Sequence, residues 1–223
     1  MIDLHTHTLF SDGELLPSEL VRRAEVKGYS ALALTDHVDF SNINQVVPSL
    51  VAASRRLNQT GRLTVIPGAE ITHVSPEDIP VLVKLAKELG AVLVVVHGET
   101  LVEPVRPGTN LAAVRSKIDV LAHPGLLSEE EARIAAERGV AVELTSRHGH
   151  SLGNGLTALR WYQFHFPLVL NTDTHGPEDL IDDDMAKKIM LGSGIRPDDV
   201  AEIMKNSHSL LERKVLEFEH QDE

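Results

Sequence analysis

The stretch AVLVVVHGE, residues 91–99, decides the fold, because an uninterrupted apolar run ends abruptly in a histidine. Buried strands of a parallel sheet are continuous runs rich in Val, Leu and Ile, without polar alternation. Seven runs have this character: MIDL (1–4), YSALALT (29–35), LTVIPGA (63–69), AVLVVV (91–96), DVLA (119–122), VAVELT (140–145) and LVLNT (168–172). We therefore predict seven buried parallel strands.

Amphipathic helical patterns separate these runs. Residues 79–89 place their apolar side chains on one face, and Gly90 suits the left-handed position that often follows a helix. Ser128 and Glu131 form a capping-box pattern at the start of a second helix, which is predicted to end before Gly139. Further helices are predicted over residues 17–28, 41–61 and 178–219, the last in two or three pieces broken around residues 192–197.

Strands that alternate with helices predict an α/β fold, and seven such units fit a closed or nearly closed barrel. We predict a single domain over residues 1–223, a distorted (β/α)7 barrel of the TIM type, on which C-terminal helices of about residues 178–219 pack. A chain of 223 residues that is 42% hydrophobic can bury one such core. No apolar run approaches the roughly 18 residues that span a bilayer, so we expect a cytoplasmic protein without a membrane partner.

The composition restricts the possible ligands and partners. Cysteine is absent, so a metal would depend on nitrogen and oxygen ligands, and there are 12 histidines to supply them. The 33 acidic and 21 basic residues give a formal net charge of −12, and aromatic residues make up only 4%. This balance argues against binding of long nucleic acid, but it leaves a small phosphorylated ligand open if the local field is reversed.

Residues of metal-binding types follow six of the seven runs at the point where each run ends. They are His5 and His7, Asp36 and His37, Glu70, His97, His123, and Asp173 and His175. Carboxyl ends of parallel strands converge on one rim, so these residues are expected to be neighbours. One such histidine alone would more often be bonded to the backbone, but this many imidazoles and carboxylates need a shared cation. We predict a metal site there.

The spacing of the first pair supports this prediction. Side chains alternate along a strand, so His5 and His7 lie on the same side and can reach one ion. Asp12, in the SDG turn that follows, could reach a neighbouring ion or could serve only as a turn residue before Gly13.

In these motifs the sequence resembles the polymerase and histidinol phosphatase family, known as the PHP domain. The matching motifs are DLHTHTLFSDG, LTDH, GAE, VVVHGE, LAHPG and NTDTH, in this order over residues 3–175. The resemblance implies a (β/α)7 barrel with three divalent metal ions, which would be zinc, manganese or iron. The chain is shorter than expected for a dedicated histidinol phosphatase, which leaves the substrate open.

The resemblance also implies how the ligands are shared. One ion would take His5, His7, Glu70 and Asp173, and a second ion, bridged by Glu70, would take His97 and His123. A third ion would take His37 and His175, with Asp12 as a further member. Asp36 precedes a ligand and would orient it as a hydrogen-bond acceptor.

The metal centre predicts phosphoester hydrolysis. Three dications carry +6 and three carboxylates −3, so the mouth would carry about +3 and attract phosphate although the protein is acidic. Paired ions can share a hydroxide, because they bring the pKa of bound water near neutrality. Another ion can neutralise the charge on the phosphoryl oxygens. We expect a hydrolase acting on a small phosphomonoester such as histidinol phosphate or a nucleotide, with an unknown oligomeric state.

Glu70, Asp173, Arg147 and His148 are the predicted catalytic residues. Arg147 lies in the glycine-rich loop TSRHGHSLGNG, residues 145–155, and its planar guanidinium suits a phosphate, although it could be a solvated loop residue. His148 and His150 share this loop and could touch the substrate or donate a proton, or they could be surface histidines. His73 could line the mouth, but a structural role behind the metal ligands is the favoured interpretation.

Three other functions remain open. The first is a nuclease or nucleotide phosphatase acting on short oligonucleotides. The second is an amidohydrolase-like enzyme that cleaves C–N bonds; those enzymes commonly use a modified lysine after the fourth strand, where this chain has His97. The third is a non-catalytic metal-binding module, which would predict lost ligands, and none is visibly lost here.

Overall fold

Eight short strands alternate with eight α-helices in the part of the chain that the computed structural model describes, residues 1–222. The strands are β1 (Ile2–Asp3), β2 (Ala31–Leu34), β3 (His37–Val38), β4 (Thr64–Ile71), β5 (Leu93–His97), β6 (Val120–Ala122), β7 (Ala141–Thr145) and β8 (Leu168–Asn171). The helices are α1 (Pro17–Val26), α2 (Ile43–Thr60), α3 (Ile79–Glu88), α4 (Thr109–Arg115), α5 (Glu129–Arg138), α6 (Asn154–Phe164), α7 (Asp183–Gly192) and α8 (Val200–Glu219).

The strands form a parallel, nearly closed barrel. Its order is β1-β2-β4-β5-β6-β7-β8, and β3 continues the line of β2 and also pairs with β4, so the barrel has seven positions. The circle closes just beyond β1 and β8, where Thr6 and Thr174 form a parallel bridge. There the His7 N–H donates to the Thr174 carbonyl oxygen at 2.8 Å, and the Asp173 N–H donates to the His5 carbonyl oxygen at 3.0 Å. The predicted distorted (β/α)7 barrel is confirmed.

Both faces of the barrel wall are covered, which explains why its strands are continuous apolar runs. Every residue of β2, β5, β6, β7 and β8 is buried. Helix α2 packs against β4 on the outer face, and the C-terminal α8 packs against β8 and β1. None of the helices within residues 1–222 is both long enough and apolar enough to cross a membrane.

The helix boundaries follow local sequence signals. The capping box of α5 is present: the Glu131 N–H donates to the Ser128 hydroxyl, the Ser128 N–H donates to the Glu131 carboxylate, and Gly139 adopts the left-handed conformation. The C-terminal segment is broken as predicted, between α7 and α8.

Two helices were not predicted. Helix α4 has only seven residues, too short for a clear apolar period. Residues 150–155 were interpreted as part of a glycine-rich loop, but His150–Gly153 form a 3-10 helix that leads directly into α6. The glycines concealed this helix because glycine has low helix propensity. Position 153 requires glycine because of close packing, since a Cβ there would lie 2.8 Å from the Gly125 carbonyl oxygen.

Gly125→Ala is expected to destabilise the protein by about 2–4 kcal/mol. Gly125 has φ +62°, and a Cβ would lie 2.0 Å from the Glu99 carbonyl oxygen, so both the backbone and the packing oppose a side chain. Urea denaturation measures the free energy of unfolding. The matched control is Gly155→Ala in α6, where a Cβ meets nothing within 4 Å. This substitution should raise the free energy of unfolding by about 0.5–1 kcal/mol, because alanine favours a helix more than glycine does. Equal stability of the two variants would contradict the close packing described here.

Candidate metal centre

The strand ends bring all nine predicted ligand residues to one mouth. His5 and His7 follow β1 and point inward, while Thr6 between them points away and donates its hydroxyl hydrogen to the Ala33 carbonyl oxygen at 2.7 Å. The alternation expected of an extended strand therefore places both imidazoles in the mouth. The other ligand residues reach it from the ends of β2, β4, β5, β6 and β8 and from the turn that contains Asp12.

Glu70 and Asp173 lie at the centre of the mouth, between His5 and His7. The Nε2 atom of His5 is 3.2 Å from Glu70 Oε1 and 3.7 Å from Asp173 Oδ1. The Nε2 atom of His7 is 3.1 Å from Asp173 Oδ1 and 3.5 Å from Glu70 Oε2. All four side chains are buried, so two imidazoles and two carboxylates face one small volume.

Glu70 also faces a second group of histidines. Its Oε1 atom is 3.6 Å from His123 Nε2. One ligand atom from each of Glu70, His97 and His123 lies within 4.8 Å of the other two. Glu70 therefore contributes atoms to both groups, which is the arrangement that a bridging carboxylate requires.

A third group surrounds Asp12 at the outer side of the mouth. Asp12 Oδ1 is 3.2 Å from His175 Nε2 and 3.5 Å from His37 Nε2, and His7 lies within reach of the same point. The SDG turn needs Gly13, because a Cβ there would lie 2.6 Å from the His7 carbonyl. The turn thus packs directly on a strand-end histidine, which brings Asp12 to the mouth.

Hydrogen bonds to oxygen acceptors orient several of the imidazoles. The Nδ1 atom of His5 is 2.8 Å from Glu143 Oε2, that of His97 is 3.1 Å from the Gly98 carbonyl oxygen, and that of His175 is 2.9 Å from the Asp173 carbonyl oxygen. In the neutral imidazole, Nδ1–H donates a hydrogen bond to such an acceptor, and Nε2 then carries the free lone pair. In each case Nε2 faces the mouth, as a metal ligand must.

Buried polar atoms at this mouth lack hydrogen bonds. Within residues 1–222, no acceptable hydrogen bond is made by His5 Nε2, both ring nitrogens of His7 and His123, both carboxylate oxygens of Glu70, and Asp173 Oδ1. These atoms lie close together but their directions do not align. Leaving so many buried polar groups unpaired would be costly, and a divalent cation would satisfy them together. Nitrogen and oxygen ligands of this kind suit zinc, manganese or iron.

The backbone is strained where it aims two of these side chains. His123 has φ +24° and Asp173 has φ +55°, and both follow the last residues of their strands. Such conformations cost of order 1–3 kcal/mol in residues other than glycine and cluster at functional sites. The strain turns both side chains from the barrel wall into the mouth.

The charges at the mouth shift the pKa values of its residues in opposite directions. Burial and the charge of His37 lower the pKa of His7 to about 3. Burial also acts to lower the pKa of His37, but the carboxylate of Glu70 outweighs it and raises that pKa to about 9. Although burial opposes ionisation of the carboxyl groups, the charge of His5 holds the pKa of Glu70 and of Asp173 well below the usual range. The carboxylates are therefore charged at neutral pH.

Two acidic residues at the mouth, Glu143 and Glu103, were not predicted from the sequence. Glu143 in β7 is buried; besides His5, its carboxylate accepts from Asn171 Nδ2 at 2.9 Å and from the His123 N–H at 3.3 Å. A single charged residue inside the apolar run VAVELT was the signal that could have revealed it. Glu103 lies in the loop after β5 and contacts His97, and no sequence signal marks it.

Asp36 supports the site differently from the prediction. Its carboxylate accepts from the Thr8 N–H at 2.8 Å and from the Ser11 hydroxyl at 2.8 Å. Asp36 therefore holds the loop that carries Asp12, and no hydrogen bond joins its carboxylate to His37 within the described chain.

The residues predicted to meet the substrate are only partly brought together. The mouth opens into a cavity of about 360 Å³, and Arg147 and His150 are among the residues that line it. Arg147 Nη1 donates to Asp179 Oδ2 at 2.9 Å. His148 is exposed and does not line this cavity. The exposed His73 does line it, and its Nε2 is 2.9 Å from Glu103 Oε2.

A barrel whose mouth gathers nine candidate nitrogen and oxygen ligands is typical of metal-site α/β barrels, and comparison with known proteins identifies the family. The PHP domain model matches residues 3–149. An uncharacterized protein of Methanocaldococcus jannaschii is 50% identical over 195 residues, which cover 86% of this chain and 89% of that protein. The chain therefore belongs to the PHP domain family, as its motifs indicated.

Two more distant similarities were also found. A protein of Syntrophotalea carbinolica named "Probable phosphatase" is 26% identical over 225 residues, which cover 89% of this chain and 90% of that protein. A chain in the cryo-EM structure of archaeal ribonuclease P with mature tRNA has a TM-score of 0.73 at 16% identity, and the match covers 96% of this chain and 91% of that chain. The latter similarity shows a shared fold.

Glu143→Gln is expected to weaken metal binding by about 10–100-fold, because the amide would no longer offer two acceptor oxygens to His5 and His123. Competition with a chromophoric chelator measures the affinity. Glu131→Gln at the start of α5 is the control, since its carboxylate only caps a helix. Equal metal affinities in the two variants would show that Glu143 does not support the ligands.

Metal binding is expected to release protons, and the apparent affinity should rise from about pH 6 to about pH 9. The facing carboxylates outweigh burial and raise the pKa of His5, His37, His123 and His175, that of His37 to about 9, so at neutral pH His37 holds a proton that a cation must displace. Calorimetric titrations at about pH 7 in two buffers of different ionisation enthalpy measure the number released. No proton release at that pH would contradict the raised pKa values.

Proposed function

We propose that the protein is a metal-dependent phosphoesterase that hydrolyses a small phosphomonoester. The observation that carries this proposal is the convergence of nine histidine, aspartate and glutamate side chains, several with buried atoms that no hydrogen bond satisfies within the described residues. Membership of the PHP domain family and the relative named "Probable phosphatase" support the same conclusion.

The ligand groups fit three divalent ions. His5, His7, Glu70 and Asp173 would hold the first, Glu70 with His97 and His123 the second, and Asp12 with His37 and His175 the third. When bound, such ions make a water-derived nucleophile available near neutral pH and neutralise charge on the phosphoryl group. The ring orientations set by Glu143 and by backbone carbonyl oxygens keep the ligand nitrogens directed at the mouth.

Arg147 is the protein cation proposed to contact the phosphoryl oxygens. It lines the cavity, and its ion pair with Asp179 holds the guanidinium beside the loop after β8. The same Asp179 carboxylate accepts from the N–H groups of His175 and Gly176, both at 2.9 Å. Arg147 is therefore fixed relative to a predicted metal ligand, which suits a residue that must orient phosphate.

The cavity favours a small substrate. A volume of about 360 Å³ is at the lower end of the range for ligand pockets, and the lining is mostly polar or charged. Together with the net charge of −12, this favours a small phosphorylated metabolite or a nucleotide over a long nucleic acid. His150 lines the cavity and is a better placed substrate contact than the exposed His148, whose catalytic role stays a prediction.

The test is phosphate release by the purified protein, loaded with manganese, zinc or iron, from a panel of phosphomonoesters, nucleotides and short oligonucleotides. His5→Ala and His123→Ala are expected to lower kcat/KM by more than about 100-fold, because each removes a ligand nitrogen. Arg147→Ala is expected to raise KM by roughly 10–100-fold with a smaller change in kcat, since a charge-assisted hydrogen bond is worth about 1.5–3 kcal/mol. His148→Ala serves as the comparison on the same loop.

Other outcomes discriminate between the remaining functions. Release of mononucleotides from oligonucleotides, without hydrolysis of phosphomonoesters, would indicate a nuclease. Cleavage of amide substrates alone would indicate an amidohydrolase-like enzyme, against which the bridging position of Glu70 argues. Tight metal binding without turnover of any substrate would indicate a binding module and contradict the proposal.

A further inference from the structure

Glu103 enters the mouth from outside the ligand set that the motifs imply. Its Oε2 atom is 2.9 Å from His73 Nε2 and 3.2 Å from His97 Nε2, and its Oε1 atom is 3.4 Å from His150 Nε2. These histidines come from the ends of three different strands, β4, β5 and β7. One carboxylate on a loop therefore contacts three imidazoles that line the cavity.

The loop that carries Glu103 is held in place at several points. At its base, the Glu99 carboxylate accepts from the N–H groups of Gly108 and Asn110, at 3.0 and 2.9 Å. Near its tip, the Val102 side chain packs on Gly149, where a Cβ would lie 3.3 Å from it. The position of Glu103 thus depends on contacts of the whole loop as well as on attraction to the histidines.

The contact with His97 has the geometry of two ligands on one ion. Because His97 Nδ1 faces the Gly98 carbonyl oxygen, only Nε2 is free to bind a cation. Two ligand atoms that each lie about 2.1 Å from one ion at tetrahedral or right angles are about 3.0–3.4 Å apart. The observed 3.2 Å between His97 Nε2 and Glu103 Oε2 falls in this range.

The charge distribution favours the same role. Among the three ligand groups, the one formed by Glu70, His97 and His123 has no carboxylate of its own, since Glu70 is shared with the first group. The first group also has Asp173 and the third has Asp12. Ligand atoms of Glu103, His73 and His97 lie within 4.8 Å of one another, so the Glu103 carboxylate would approach the second ion from the side of His97 and supply the charge that the second group lacks.

We propose that Glu103 is a further ligand of the cation held by His97 and His123, and that His73 positions it. This inference rests on the proposed metal centre and adds a ligand to it. His73 has a left-handed backbone, with φ +55°, and its Nε2–H donates to Glu103, as residues behind a metal ligand commonly do. Glu103 is 37% exposed while His97 is nearly buried, so of these two residues Glu103 is the one more accessible from the cavity.

The test compares metal binding by the wild-type protein and by Glu103→Gln, which removes the charge and keeps the shape. Calorimetric titration with zinc or manganese measures the number of ions and their affinities. We expect three ions in the wild type, and in the variant about 10–100-fold weaker binding of one ion with the other two unchanged. With cobalt(II), the visible absorption bands of the variant should differ from those of the wild type, because one coordination sphere has changed.

Asp39→Asn is the matched control. Asp39 also lines the cavity, but its carboxylate bonds to Ser41 and contacts no predicted ligand. If Glu103 acted only through the overall charge of the mouth, both variants would weaken binding equally, and the proposal would be overturned.

Two further outcomes would also overturn the assignment, and they can be told apart from a failure of the proposed function. Unchanged affinities and unchanged cobalt spectra in Glu103→Gln would show that the carboxylate only pairs with histidines. Tighter binding in the variant would show that Glu103 competes with the cation for His97. If the wild type itself binds no divalent ion, the metal centre fails, and the Glu103 assignment fails with it.

Discussion

The structure depends on one constraint: nine imidazole and carboxylate groups are crowded near the carboxyl ends of parallel strands, and five of them have buried atoms that hydrogen bonds do not satisfy in the described chain. His7 and His123 have no acceptable hydrogen-bond partner at either ring nitrogen within residues 1–222, and both oxygens of Glu70 are in the same situation. An apolar mouth of the same size would be less costly in free energy. The arrangement is therefore unfavourable in the metal-free protein. It would become favourable when cations bind, as the proposed function requires.

Much of the barrel is organised around this constraint. Glu143 orients His5 from below, Asp36 holds the loop of Asp12, and strained backbones at His123 and Asp173 turn those side chains inward. These features lower the free energy of unfolding. Burial of the apolar wall formed by β2, β4 and β5 compensates for this loss. The division of roles agrees with the general behaviour of parallel barrels, in which the wall stabilises and the carboxyl-end loops carry the chemistry.

The sequence predicted the wall, and it indicated which residues meet at the mouth, because both leave strong local signals. Each strand lies in an apolar run, and every predicted ligand except Asp12 stands at or just after the end of such a run. Residues whose role depends on tertiary contact were missed: Glu143 lies inside a run, and Glu103 lies in a loop whose path no periodicity reveals. Helix α6 was missed because the glycines of this segment concealed it, and of these Gly153 is needed for close contact with Gly125. The sequence could not show which of Arg147 and His148 faces the cavity, because only the fold determines the direction of each side chain.

The seam of the barrel and the metal centre share the same residues. β1 has only two residues, and it is joined to β8 by side chains: Asn171 Oδ1 accepts from the Leu4 N–H at 2.9 Å, and Asp3 accepts from the Thr172 N–H at 3.1 Å. Asn171 also donates to Glu143, which in turn bonds to His5. A cation held by ligands on both sides of the seam would therefore close the barrel at its weakest point. Because a ligand that binds only the folded chain stabilises it, such a cation would couple folding to metal loading through this seam.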